Sequence, residues 1–244
     1  MVIAIIQARM GSSRLPGKVL MDVDGKPMIK FMYDRVKKSK LIDKIIVATT
    51  SNKIDDSIAE LCKKEKIICF RGSEDDTLDR YYKAALPYNP NIVVRLTGDC
   101  PLCDPVLVDK TINLFVKKNV DYASNTVPPD IKKFPDGSDV EVFSFRNLKK
   151  SWEKSTCIKE REHVTFYFWK SGNNFSTALL DNKFNWGKYR ITIDYKEDMT
   201  LLNEIIKRLK RQNKFGHINE VVEILENEPN LVEINSMYTY GLNW

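Results

Sequence analysis

Histidine is scarce in this chain: 244 residues contain two, His163 and His217. A metal site built on histidine is therefore not expected. The five cysteines include one close pair, Cys100 and Cys103. That spacing fits a redox pair, but no second pair and no neighbouring histidine completes a zinc shell. The surrounding Thr97-Gly98-Asp99-Cys100-Pro101 element gives Cys100 a different setting. Long apolar runs are also missing. Val2–Ile6 is only five apolar residues with no basic stretch before it, and no later run approaches the ~20 residues of a membrane span. No targeting or spanning segment is expected, and the cysteines read as reduced thiols. The protein is therefore expected to be cytoplasmic, with no membrane partner. No internal repeat or low-complexity segment is present.

What is there is globular. Hydrophobic residues make up 43% and charged residues 30%, enough for a core and a cleft. The net charge of +6 suits anionic small molecules. It is too dispersed to indicate nucleic acid. The densest basic run, Lys207 to Lys214, interleaves with Ile206 and Leu209 and reads as the solvated face of an amphipathic helix.

Strand and helix signals alternate. Val2–Gln7, Lys44–Thr49, Lys66–Phe70 and Ile92–Thr97 are short apolar runs, as in strands buried on both faces. Between them, Pro27–Lys38 and Asp75–Leu86 read as helices, and Ile54, Ile58, Leu61 and Cys62 share one helical face. A further helix starts near Pro105, with Val108, Ile112, Phe115 and Val116 facing inward. This order predicts an α/β fold with a mostly parallel sheet flanked by helices. After Tyr122 the rhythm changes. Asn125–Ser138 reads as a loop, Val140–Phe145, Ser176–Leu180 and Tyr189–Ile193 as strands, and Arg161–Lys170, Asp198–Lys210 and His217–Asn227 as helices. A single domain over 1–244 is expected, with 125–185 inserted as a substrate lid, acceptor-binding segment or dimer arm.

The most informative stretch is Gln7-Ala8-Arg9-Met10-Gly11-Ser12-Ser13-Arg14-Leu15-Pro16-Gly17-Lys18. It follows the first strand, where a parallel sheet binds its ligands. Backbone N–H groups of Gly11, Ser12 and Ser13 can approach phosphate oxygens. Arg9, Arg14 and Lys18 bring three cations within ten residues, enough to neutralise a triphosphate. The spacing is not that of a Walker A loop, because five residues separate Gly11 from Gly17 and Val19 follows Lys18. Nor is it a Gly-x-Gly-x-x-Gly dinucleotide loop. Asp99 and Asp194 each stand just past an expected strand and so point toward the same crevice. Each also has a plainer reading as a helix cap, with Glu197 completing a capping box after Asp194.

The pattern Ala8-Arg9-x-x-Ser12-x-Arg14-Leu15-Pro16-x-Lys18, followed by Gly25-Lys26-Pro27-Met28-Ile29, resembles the start of the cytidylyltransferase family. That family contains the CMP-Kdo and CMP-sialic acid synthetases, and the sequence is most similar to its spore-coat polysaccharide SpsF-like branch. The guanylyl- and uridylyl-transferring relatives usually carry paired glycines here, which this loop lacks. The resemblance implies a Rossmann-like nucleotidyltransferase fold, CTP as donor, release of pyrophosphate and a role in polysaccharide biosynthesis. It makes Ala8, Arg9, Gly11, Ser12, Ser13, Arg14, Lys18 and Arg80 nucleotide-binding, with Lys18, Arg9 and Arg14 catalytic. It makes Asp99 and Asp194 ligands of Mg²⁺, the expected cofactor. Lys196-Glu197-Asp198 stands where the family often has Pro-Glu-Asp after the second aspartate.

Two later elements resemble the same branch: Asp136-Gly137-Ser138-Asp139-Val140-Glu141 and Arg161-Glu162-His163-Val164-Thr165. The resemblance implies that Asp139, Glu141, Arg161 and His163 bind a small anionic acceptor, with a homodimer expected. The residues alone also fit a core strand with its charges outward and a histidine packed on its helix. For Arg80, a helix-surface role stands beside nucleotide contact. Two other functions fit parts of the sequence. Asp22-Val23-Asp24 gives the Asp-x-Asp of a nucleotide-sugar-dependent glycosyltransferase, though it follows the first loop rather than a late strand. A catalytically silent nucleotide-binding protein would keep the loop without turnover.

Overall fold

The computed structural model describes residues 1–127, 133–169 and 172–238. Nineteen elements position the site. In chain order, they are β1 (Val2–Gln7), β2 (Asp22–Val23), β3 (Lys26–Pro27), α1 (Met28–Val36), β4 (Lys44–Thr50), α2 (Asp56–Lys64), β5 (Ile68–Gly72), α3 (Thr77–Ala85), β6 (Ile92–Thr97) and α4 (Pro105–Lys118). They continue with β7 (Tyr122–Ser124), β8 (Glu141–Ser144), α5 (Phe145–Lys154), α6 (Ile158–Glu162), α7 (Phe166–Trp169), β9 (Thr177–Leu179), α8 (Lys196–Arg211), α9 (Ile218–Asn227) and α10 (Pro229–Glu233).

Seven strands form one sheet in the order β5-β4-β1-β6-β8-β7-β9. The first four run parallel, and β8 pairs antiparallel with both β6 and β7. β9 pairs parallel with β7. Alternate residues of β1 feed two cores. Ala4 and Ile6 pack with α1, α2, α4, α8 and α9, while Ile3 and Ile5 pack with α3, α5 and α7. A strand covered on both faces has no reason to alternate apolar with polar, which is why β1, β4 and β6 read as continuous apolar runs.

Several expectations need correcting. Tyr189–Ile193 is not a strand of the sheet. It makes one bridge, Asp136 with Arg190, and its N–H groups go to separate segments: Ile191 to the Asp136 carbonyl at 2.7 Å and Ile193 to the Asp99 carbonyl at 2.9 Å. It crosses the sheet's end instead of lying beside a strand. The single helix expected over Arg161–Lys170 is two short ones, broken where Val164 takes a φ of 54°; Lys170 lies outside the described residues. Ile54 is exposed in the turn before α2, and Val116 is exposed on α4. β7 and α5 carry no expectation; α5 is capped by Ser144, whose hydroxyl accepts from the Asn147 N–H at 3.0 Å. Within 125–185, β8 and β9 are strands of the main sheet; residues 128–132 of the expected 125–138 loop lie outside the described set.

Candidate active site

β1 and β6 lie side by side with Gln7 opposite Thr97, so the loops that leave their carboxyl ends share one mouth. The first loop is pinned from beneath. Asp55, buried at the start of α2, accepts the Met10 N–H at 2.6 Å and the Thr50 hydroxyl. Gly17, with φ of 74°, then turns the chain so that Lys18 enters a buried one-turn helix. The loop, β6 and the start of α3 enclose a cleft of about 500 Å³ lined by Ala8, Arg9, Ser12, Ser13, Arg14, Lys18, Arg80, Asp99, His163 and Asp194. That volume is within the usual range for a small-molecule site.

At its centre stands the Lys18 ammonium. It donates to Asp99 at 3.2 Å, to Asp194 at 2.9 Å and to the Ile193 carbonyl at 2.6 Å. Burial works to lower the Lys18 pKa, but Asp99 and Asp194 overcome it and hold it above the ordinary lysine value. Loss of solvent works to raise both carboxyls, and Lys18 reverses this, so each stays below the ordinary aspartate value. Arg14 adds a second cation, 2.8 Å from Asp194 and 5.2 Å over the Tyr195 ring. Arg9 sits at the rim, 3.1 Å from Glu74.

Neither aspartate is a helix cap. Asp104 caps α4, accepting the Val106 N–H at 2.9 Å. At α8 the N-cap is Tyr195, and Asp198 at the third helical position closes its capping box, accepting the Asp194 and Tyr195 N–H groups at 2.8 and 2.9 Å. Both capping duties are carried by other residues, which leaves Asp99 and Asp194 for the cleft. Arg190 holds the other oxygen of Asp194 at 3.0 Å and also binds Asp136 and Asp198.

The expected residues do not all converge. Gly11 does not line the cleft. Of the acceptor set, only His163 does, and burial lowers its pKa. Arg161 is turned to Asp76 and the Trp152 carbonyl. Asp139 accepts from Thr126 and the Gly137 N–H, and burial raises its carboxyl. Glu141 is buried beneath the wall, where it accepts from Tyr122 and Thr165, each at 2.6 Å, and from Arg95. Arg95 itself lines the cleft, together with Gln7, Thr97, Glu74 and Glu162. A charged residue inside the apolar run Ile92–Leu96 is the signal that marks Arg95 in the sequence.

The rival motifs have other work. Asp22 accepts the Gly25 N–H at 3.2 Å in the β2–β3 turn, and Asp24 pairs with Lys210, away from the cleft. Cys100 and Cys103 are buried free thiols, and burial raises both, Cys103 to about 12, so neither is poised for redox exchange.

The family profile described as Cytidylyltransferase matches residues 3–233. This chain belongs to the cytidylyltransferase family. An uncharacterized protein of Methanocaldococcus jannaschii is 38% identical over 237 residues, covering 96% of this chain and 94% of its own. The spore coat polysaccharide biosynthesis protein SpsF of Bacillus subtilis is 31% identical over 236 residues, covering 93% and 95%. A cytidylyltransferase structure from Leptospira borgpetersenii superposes with a TM-score of 0.88 at 34% identity, over 98% of this chain and 99% of that one. CMP:2-keto-3-deoxy-manno-octonic acid synthetase, solved with CTP, shares the fold at a TM-score of 0.62 and 16% identity, over 85% of this chain and 98% of its own. The chain is thus a cytidylyltransferase-family enzyme with the nucleotidyltransferase fold. Among the described residues, no helix is long and apolar enough to cross a membrane.

The donor set fits a magnesium ion held partly by substrate. Asp99 and Asp194 already share one cationic atom, the Lys18 Nζ. Among the described residues, no group of three or more His, Cys, Asp or Glu forms a closed metal cage. Mg²⁺ prefers one or two carboxylates completed by phosphate oxygens and water, which is what this pair leaves room for.

Proposed function

We infer that the protein transfers CMP from CTP to a sugar acid or related small anionic acceptor and releases pyrophosphate. The observation that carries this reading is the Lys18 ammonium held between Asp99 and Asp194 in a cleft that Arg9, Arg14 and Arg80 also line. Bound to these two carboxylates, Mg²⁺ would neutralise phosphate oxygens and make the α-phosphorus more electrophilic. Lys18, Arg14 and Arg9 supply the remaining positive charge along the triphosphate. An acceptor oxygen attacks the α-phosphorus in line, the bond from that phosphorus to the bridging oxygen breaks, and pyrophosphate leaves with the electron pair. Charge grows on the departing oxygens, where fixed cations stabilise it without reorganising.

The likeness to SpsF over 93% of the chain supports a role in polysaccharide biosynthesis. The test is pyrophosphate release from CTP and Mg²⁺ with a panel of sugar acids, including 3-deoxy-manno-octulosonate, each run beside its neutral polyol counterpart. Turnover with an acid and none with the polyols supports the reading. CTP binding with no turnover across the panel would favour a silent nucleotide-binding protein.

A further inference from the structure

Asp194 is crowded by positive charge. Its Oδ1 accepts from the Lys18 ammonium at 2.9 Å and lies 2.8 Å from the Arg14 guanidinium, while its Oδ2 accepts from Arg190 at 3.0 Å. An ionised carboxylate has about four lone-pair sites, two on each oxygen, so Lys18 and Arg14 fill Oδ1. Asp99 Oδ2 accepts from the same ammonium at 3.2 Å. An ion bridging these two oxygens would take the place of the Lys18 Nζ, and two cations cannot share it. The carboxylate that suits a metal is therefore engaged by the cations that suit the phosphates.

The three cations are not equally fixed. The Arg190 side chain is 8% exposed and is also held by Asp136 at 2.9 Å and Asp198 at 3.1 Å. Arg14 is 43% exposed at its side chain, and Asp194 is its one ion-pair partner among the described residues. Lys18 ends the same loop, in the one-turn helix after Gly17. Arg14 and Lys18 line the cleft, whereas Arg190 does not. A polyphosphate in that cleft brings several negative charges against the single one of Asp194, and its oxygens match a guanidinium fork. It competes for Arg14 and Lys18 and leaves Arg190 in place.

We propose that Lys18 and Arg14 lock Asp194 against divalent metal, and that a polyphosphate entering the cleft opens the lock by taking both cations onto its own oxygens. Metal and polyphosphate then bind with positive coupling, each raising the other's affinity by the same factor. Arg190 keeps its oxygen throughout and is the positioning residue that fixes the carboxylate's orientation. The inference rests on the transferase reading only in making the polyphosphate that of a nucleotide.

The experiment uses the whole chain, with Mn²⁺ as the metal and tripolyphosphate as the anion. Mn²⁺ binding in the absence of any phosphate is read from loss of the free-ion EPR signal. Lys18→Gln should bind Mn²⁺ about tenfold more tightly than the parent, within the usual range of such couplings, and Arg14→Gln should shift it the same way. Adding Asp194→Asn to Lys18→Gln should abolish the gain. Arg9→Gln removes a cation of the same loop that pairs with Glu74 instead, and it should change Mn²⁺ affinity little. In EDTA, Asp194→Asn should bind tripolyphosphate more tightly than the parent, and Glu162→Gln, which removes another carboxylate of the cleft, should gain less. Mn²⁺ affinity that is unchanged or lowered in Lys18→Gln overturns the lock, and an equal gain in Arg9→Gln does so too, since it would mark general charge repulsion. Arg14→Gln, altered at an exposed side chain, carries the same test if Lys18→Gln does not fold. Pyrophosphate release by the parent separates the two claims. Release with no gain in the variants removes the lock alone; the gain without release leaves the lock standing and removes the transferase reading.

Discussion

The Lys18 ammonium separates two carboxylates, 3.2 Å from one and 2.9 Å from the other. Replacing it with alanine leaves Asp99 and Asp194 facing each other without a cation between them. Lys18→Ala should therefore lower kcat by about 100- to 1,000-fold, the usual cost of removing one fixed transition-state charge. It should also lower Tm in chelator, and MgCl₂ should recover part of that loss because a divalent ion can occupy the gap. Melting curves with and without Mg²⁺, beside kcat at saturating acceptor, test both parts; an unchanged kcat would remove Lys18 from the chemistry. At this scale the sequence showed the cations of the loop and both aspartates, because each follows a buried strand. Asp139, Glu141 and Arg161 do not line the cleft, and a polar residue in a motif looks the same whether it meets solvent, ligand or another buried side chain. Arg190 carries no such mark: Asp194 and Asp198 follow it by four and eight residues, but the fold alone brings in Asp136 from 54 residues away.

Elements tell a similar story. β1, β4 and β6 were legible because burial on both faces leaves an uninterrupted apolar run. β7 was not, since Tyr122-Ala123-Ser124 is too short to show a period, and Tyr189–Ile193 has strand chemistry but no strand beside it. Two junctions yield predictions. Asp121 ties β7 to β9 and α5, accepting from the Ser176 N–H and hydroxyl at 2.9 and 2.8 Å and from Asn147 at 3.0 Å. Partial burial works to raise its carboxyl, but these donors hold it below the unfolded value of 3.8. A depressed carboxyl stabilises the fold above the unfolded pKa and loses that contribution as pH falls through the folded one. Asp121→Asn should therefore lower Tm at pH 7, and its difference from the parent should close below about pH 4; a gap that persists in acid would contradict this. The second junction is Gly137, at φ 97°, where an added Cβ would meet the Thr192 nitrogen at 2.3 Å. Gly137→Ala should separate the 136–138 turn from the 190–192 segment and cost about 1–3 kcal/mol in chemical denaturation, by backbone strain alone. A loss below about 0.5 kcal/mol would mean the turn adapts without strain.

For the whole molecule, the strand order places the first loop, the end of β6 and the segment before α8 at one mouth, although Lys18 and Asp194 are 176 residues apart. The alternation of strands and helices was enough to predict that convergence; the antiparallel β8 was not, because strand direction leaves no mark on a four-residue run. Nucleotide choice also belongs to this scale. With CTP, UTP, ATP and GTP at equal concentration, CTP should be consumed first, and preference for another nucleotide would overturn the proposed donor. The most direct test of the central claim is a double-mutant cycle on Asp99→Asn and Asp194→Asn, read as the Mg²⁺ dependence of pyrophosphate release. If the two carboxylates serve one ion, each change should shift the Mg²⁺ curve to higher concentration, and the double variant should lose much less than the product of the two single losses. Losses that multiply, with an unaltered Mg²⁺ curve, would contradict the shared site.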